Sequence, residues 1–180
     1  MSQGDVYTTL RNLARRLDDE KIPYAIIGGM ALAAHGFVRM TQDVDVLVTK
    51  EGLEKLRQTM LGRGYVRAFP GAVKSFRDTE THVRIEVITT GEFPGDGKPK
   101  PVAFPEPGAA SLEHEGVRII TLEKLIELKL ASGMSAPHRL RDLADVQDLI
   151  KALDLPLKLQ ERLDPSVRDK FSELWHSAHA

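Results

Sequence analysis

Tyr24 to Val48 reads YAIIGGMALAAHGFVRMTQDVDVLV, and the reading of this stretch decides the fold. Ile22 to Ile27, which spans its start, is apolar on both faces, as a strand buried within a sheet requires. Gly28-Gly29 breaks that run. Met30 to His35 is Ala-rich and favours helix, and Gly36 stops it. Asp43 to Val48, DVDVLV, alternates at its start and predicts a second strand.

On a strand, residues i and i+2 face the same way, about 7 Å apart at Cα. Asp43 and Asp45 therefore share a face, with Val44, Val46 and Val48 on the other. His82 to Ile88, HVRIEVI, alternates strictly: Val83, Ile85 and Val87 line one face, and His82, Arg84 and Glu86 the other. If these strands are neighbours, three carboxylates meet on one face. Unit charges ~4 Å apart repel by roughly 4 kcal/mol at an effective dielectric of ~20. Such a group needs a proton on one member or a bound cation, and oxygen donors favour Mg²⁺ or Mn²⁺ over zinc. Glu86 has a second reading, as a pair with Arg84 or with a cross-strand neighbour. Gly28-Gly29 lets a ligand approach the backbone, and the N–H groups of the helix turn that follows suit a phosphate. Phosphate beside a divalent ion held by carboxylates is the layout of two-metal phosphoryl or nucleotidyl transfer.

Outward from this stretch, residues 5–20 predict an amphipathic helix with Val6, Leu10, Leu13 and Leu17 on its apolar stripe. Residues 51–61 predict another, closed by Gly62 and Gly64. Tyr65 to Phe69 and Val73 to Phe76 predict short strands, and Val117 to Ile120 a last one. Between them Gly91 to Ala110 holds five of the ten prolines and predicts a long irregular loop. Beyond it only helices are expected. Thr121 caps one that runs to Ser132 and stops at Gly133; Pro137 opens one to Leu153; Asp164-Pro165 starts a third, which frays from His176. Lys129 falls within the apolar stripe of the first of these, where a lysine needs a partner or must snorkel. Arg141, Asp142, Asp145 and Asp148 lie close together on the next helix, a pattern that also describes an ordinary salt-bridged face.

Composition narrows the chemistry. The chain has 180 residues, 42% of them hydrophobic, and a net charge of −1, which suits a folded core and excludes a globally basic nucleic-acid coat. With no Cys, disulfides, thiol catalysis and Cys-ligated zinc are excluded. Met1 to Leu10 lacks a basic-then-apolar signal pattern, and the longest apolar stretch, Ala25 to Ala34, is far short of the ~20 residues of a membrane span. A soluble, cytoplasmic protein with no membrane partner is expected. The six His form no HxxxH or HExxH pattern, and neither GxSxG nor GxGxxG occurs.

Gly28-Gly29, a short helix, Arg39-x-Thr41-x-Asp43-x-Asp45 and a third acid on a later strand together resemble the DNA polymerase β-like nucleotidyltransferase superfamily. Within it the pattern is most similar to the small bacterial AbiEii toxin-like group, over roughly residues 20–150. The resemblance implies an α+β fold: a nucleotidyltransferase-like mixed sheet flanked by helices over residues 1–120, with a helical C-terminal region, 121–180, packed on it. It implies metal-dependent transfer of an NMP from an NTP to an acceptor hydroxyl, the acceptor being a tRNA, a protein or a small molecule. Asp43, Asp45 and Glu86 would be the catalytic, metal-binding carboxylates. Gly28 and Gly29 would hold the triphosphate, with Arg39, Thr41, Lys129 and Arg141 as further nucleotide contacts. A toxin–antitoxin or defence setting, with an antitoxin partner, is implied by the toxin-like members. The chain departs from the superfamily at two positions: Met30 stands where Ser often follows the glycines, and Glu86 where Asp is usual. Those departures motivate an alternative, a catalytically degenerate nucleotide-binding or protein-interaction module of the same fold.

Overall fold

In the computed structural model, which describes residues 2–180, the predicted amphipathic helix is α1 (Gln3–Asp19). Ser2 and Asp5 form a capping box: the Asp5 N–H donates to the Ser2 hydroxyl and the Ser2 N–H to the Asp5 carboxylate. Val6, Leu10, Leu13 and Leu17 are all buried. The chain continues through β1 (Tyr24–Ile27), α2 (Gly28–Ala34), β2 (Asp43–Val48), α3 (Lys50–Met60), β3 (Tyr65–Arg67), β4 (Ser75–Asp78), β5 (Arg84–Thr89), β6 (Ser111–His114), β7 (Val117–Ile120), α4 (Leu122–Ser135), α5 (Leu140–Leu153) and α6 (Pro165–Ala178). Short 3₁₀ turns occupy Pro137–Arg139 and Leu157–Arg162.

Two compact units result. The first takes the chain up to Ala34, Val38–Thr90 and Pro105–Ile120; the second takes His35–Phe37, Gly91–Phe104 and Thr121–Ala180. The proline-rich residues 91–104 thus group with the C-terminal helices.

The strands of the first unit form one mixed sheet, ordered β3-β4-β5-β2-β1-β7-β6. β2 runs antiparallel to β1 and parallel to β5, and β1 runs parallel to β7. Every residue of β1 is buried, which is why its sequence is apolar on both faces. The α1 helix is tied to the sheet by Thr9, fully buried, whose hydroxyl donates to the Asp78 carboxylate at 2.9 Å. On α3, Gly52 lies close to Ile22 and Val48, where a Cβ would sit 3.1–3.3 Å from their side chains.

Three expectations change. β6 is a strand that the sequence does not announce: SLEH has no apolar face, and three of its four residues are exposed. It exists because Glu115 and Gly116, both at positive φ, turn the chain tightly into β7. Gly133 does not stop α4, which runs on to Ser135. A Cβ at Gly133 would lie 2.5 Å from Leu143 Cγ, so this glycine lets α4 and α5 approach each other. Gly133→Ala is therefore expected to cost about 1–3 kcal/mol by overpacking, although Ala is the better helix former; denaturant unfolding checks the sign. Lastly, α6 remains helical through Ala178, and Trp175 stacks on His179 with ring centroids 4.0 Å apart.

The other terminal signals hold. Asp164 caps α6, with Pro165 in its first turn. The Ser166 hydroxyl and N–H donate to the Asp164 carboxyl and hold it below the usual carboxylate range.

Candidate active site

β2 carries both members of the DxD. Asp45 is in register with Ile27 of β1 on one side and with Glu86 of β5 on the other, and Asp43 is in register with Arg84. In-register residues on neighbouring strands project from the same face. Asp43, Asp45, Arg84 and Glu86 therefore share one face and are half-buried, while Val44, Val46, Ile85 and Val87 are buried on the other.

The glycine bend lies directly against this face. Gly28 has φ +69°, and a Cβ built on it would sit 2.1 Å from Asp45 Oδ2 and 2.9 Å from its Cγ. The Asp45 carboxylate fills the space a side chain would need. Gly29 stands in the same relation to Thr41, whose Oγ1 would be 3.0 Å from a Cβ. Thr41 in turn donates its hydroxyl to the Asp43 carbonyl at 3.2 Å, and its own carbonyl accepts from the Gln3 side chain of α1. Arg39 is half-buried two residues earlier. Gly28→Ala is expected to destabilise the fold by about 2–3 kcal/mol, from the strained φ together with displacement of Asp45. Thermal and denaturant unfolding would measure it, and Gly28→Ser should be no better tolerated.

Glu86 is held by its neighbours. Its Oε1 accepts from Ser75 Oγ at 2.8 Å and is ion-paired with Arg84 Nε, which also donates to Ser75 Oγ at 2.9 Å. Among the described residues no three His, Asp or Glu side chains are gathered closely enough to hold a metal ion. The expected convergence of three carboxylates is thus present in strand register and not in side-chain placement, because Arg84 and Ser75 engage Glu86. Among the described residues the Asp43 carboxylate has no hydrogen-bond or ion-pair partner. Asp43 and Asp45 offer carboxylate oxygens from one face, with Asp45 packed against the Gly28 bend. That donor chemistry fits Mg²⁺ or Mn²⁺.

Lys129 and Arg141 belong to the second unit. Lys129, on α4, is only 9% exposed, and its Nζ donates to Asp145 Oδ2 at 2.9 Å and Asp142 Oδ1 at 3.1 Å, both on α5. Asp142 also accepts from Ser132 Oγ at 2.6 Å. The lysine within the apolar stripe has found two partners and does not snorkel. Arg141, in the first turn of α5, is exposed. In the proline-rich loop, Lys100 turns inward and donates to the Pro94 and Lys98 carbonyls and to Asp96 at 2.6–2.8 Å. Among the described residues no helix is long and apolar enough to cross a membrane.

Sequence reasoning placed Arg84 on the face of Glu86 but missed Ser75. Its position follows from the antiparallel register of β4 and β5, which sets Ser75 opposite Glu86. No local pattern announces that pairing.

The family described as "Uncharacterised nucleotidyltransferase" matches residues 2–178. No curated protein matches the sequence. Among solved structures, the solution structure of the antibiotic-resistance factor ANT(2'')-Ia is 18% identical, with a TM-score of 0.58 and 99% of each chain covered. A crystal structure of that factor holds adenylyl-2''-tobramycin and matches with a TM-score of 0.51 at 14% identity, covering 99% of this chain and 100% of the other. A candidate nucleotidyltransferase from H. pylori is 18% identical, with a TM-score of 0.53 and 99% of this chain and 95% of the other covered. One from Thermotoga maritima is 17% identical, with a TM-score of 0.51 and 86% and 96% covered. At these identities the likeness shows the fold.

Proposed function

The chain belongs to the uncharacterised nucleotidyltransferase family, and from that premise we propose that it moves an NMP from an NTP to an acceptor hydroxyl, with Mg²⁺ or Mn²⁺ held by Asp43, Asp45 and Glu86. The observation that carries this reading is the fit of the Gly28 bend to the Asp45 carboxylate, one strand from Glu86 in register. When bound, the divalent ion supplies charge neutralisation of the phosphates and activation of the acceptor hydroxyl. The Gly28-Gly29 backbone presents its N–H groups to the phosphates. Met30 is only 2% exposed and offers no polar group there, so the backbone must serve where the superfamily often has a serine hydroxyl. Arg39 and Thr41 are assigned as further nucleotide contacts. Lys129 is assigned to holding α4 on α5, because its Nζ is committed to Asp142 and Asp145. In the reaction a bond forms between the acceptor oxygen and the α-phosphorus, the bond from that phosphorus to the bridging oxygen breaks, and pyrophosphate leaves.

A hydroxylated small molecule is the first acceptor to test, since ANT(2'')-Ia holds an adenylylated aminoglycoside. tRNA and protein follow. A toxin or defence role, with an antitoxin partner, rests on the resemblance of residues 24–48 to AbiEii toxin-like members.

The test is transfer of label from each of four α-labelled NTPs to these acceptors with Mg²⁺ or Mn²⁺, with pyrophosphate release followed in parallel. Label on an acceptor with matching pyrophosphate supports the reading. Nucleotide binding without transfer to any acceptor supports instead the degenerate module, which the buried Met30 and the engaged Glu86 favour. Absence of metal-dependent nucleotide binding overturns both.

A further inference from the structure

Arg84 is placed on the acid face by the alternation of β5. It stands in register with Asp43 on β2 and Arg77 on β4, so it is set among the acids of the candidate site. It is also one strand repeat from Glu86, whose Oε1 it engages through Nε. Arg84 Nε pairs with Glu86 and donates to Ser75 Oγ at 2.9 Å. The guanidinium carbon lies 6.0 Å from the centre of the Phe69 ring, and Phe69 is 52% exposed. Arg84 thus lies among the three carboxylates and holds the acid that a metal ion would need to recruit.

Building on the proposed function, we propose that Arg84 is a positioning residue for Glu86: an internal cation that holds the third carboxylate, and that a divalent ion must displace to complete its ligand set. Charge explains the arrangement. Asp43, Asp45 and Glu86 carry three negative charges on one face, and Arg84 offsets one of them while keeping Glu86 from turning toward Asp45. Ser75 steadies both partners by accepting from Arg84 and donating to Glu86. Metal entry exchanges one cation for another at Glu86 Oε1. The released guanidinium, whose fork matches paired oxygens, is then suited to a phosphate.

The experiment is Mn²⁺ binding, followed by electron paramagnetic resonance of the free ion, on the full chain and four variants. Arg84→Met and Arg84→Gln remove the competing cation, so each is expected to bind Mn²⁺ about fivefold more tightly, the scale of a partly exposed ion pair. Arg84→Lys keeps the charge and should restore weaker binding close to that of the unmodified chain. Asp43→Asn should bind weakly or not at all. Thermal unfolding confirms that each protein is folded. Unchanged or weaker Mn²⁺ binding in both neutral Arg84 variants, with Asp43→Asn still impaired, overturns the role of Arg84 and leaves the proposed function standing. Absence of Mn²⁺ binding throughout, or binding unaffected by Asp43→Asn, overturns both.

Discussion

Replacing Asp43 or Asp45 by Asn is expected to lower nucleotidyl transfer by about 10³-fold while leaving the folded chain as stable as before. Each change keeps the size of the side chain and removes one charge. Stabilising charge in the transition state through a bound divalent ion contributes several kcal/mol, and about 4 kcal/mol corresponds to a thousandfold in rate. The two acids belong to the same face of β2, beside in-register Glu86 and Arg84. Neutralising Asp43 therefore relieves like-charge repulsion, so the melting temperature of that variant should stay level or rise. Asn at 45 also preserves the volume packed against Gly28, where an Ala would leave the bend unsupported. Single-turnover transfer and thermal unfolding on the same preparations separate the two effects. Loss of transfer together with loss of folding would make Asp45 a structural residue. Full transfer by either Asn variant would remove that aspartate from the active site.

The parts of this molecule legible in its sequence are those set by local periodicity. The stripe of α1, the two-sided apolar run of β1 and the alternation of β2 and β5 each have one physical solution. What periodicity does not carry is pairing. β2 and β5 are joined through α3 and two further strands, and nothing in DVDVLV or RIEVIT states that they lie parallel with Asp45 opposite Glu86. The shared face of the acids was therefore inferred from their chemistry and then found in the register. The pairing of Glu86 with Arg84 is one of the two readings its strand allows, but the neighbour that joins them is not legible, because Ser75 lies on β4, a third strand. Gly133 misled because a glycine near a helix end reads as a stop when its neighbours are unknown; its use is steric and belongs to Leu143 on another helix.

Lys129→Met is expected to destabilise the chain by about 3–5 kcal/mol, the cost of leaving buried charge without its partner. Asp145 is 3% exposed and receives the Lys129 ammonium at 2.9 Å; Asp142 receives it at 3.1 Å. Methionine retains the apolar stem that lies within the stripe of α4, so the loss is of charge and hydrogen bonds, with little change in packed volume. For a chain of this size the melting temperature should fall by roughly 10 °C. A second substitution distinguishes pairing from a general intolerance of the site. Adding Asp145→Asn to Lys129→Met removes the charge that has lost its lysine and should recover part of the loss, whereas Asp145→Asn alone leaves Lys129 paired with Asp142 and should cost less than Lys129→Met. Such non-additivity is the signature of a direct pair. The same variants decide between two roles for this lysine. A residue that holds α4 on α5 loses stability first, and its surviving folded fraction still binds nucleotide. A residue that reaches a phosphate leaves the melting temperature unmoved and weakens nucleotide binding instead. The two bonds from Nζ to α5 predict the first outcome, and a Lys129→Met protein as stable as the unmodified chain would show those bonds contribute nothing.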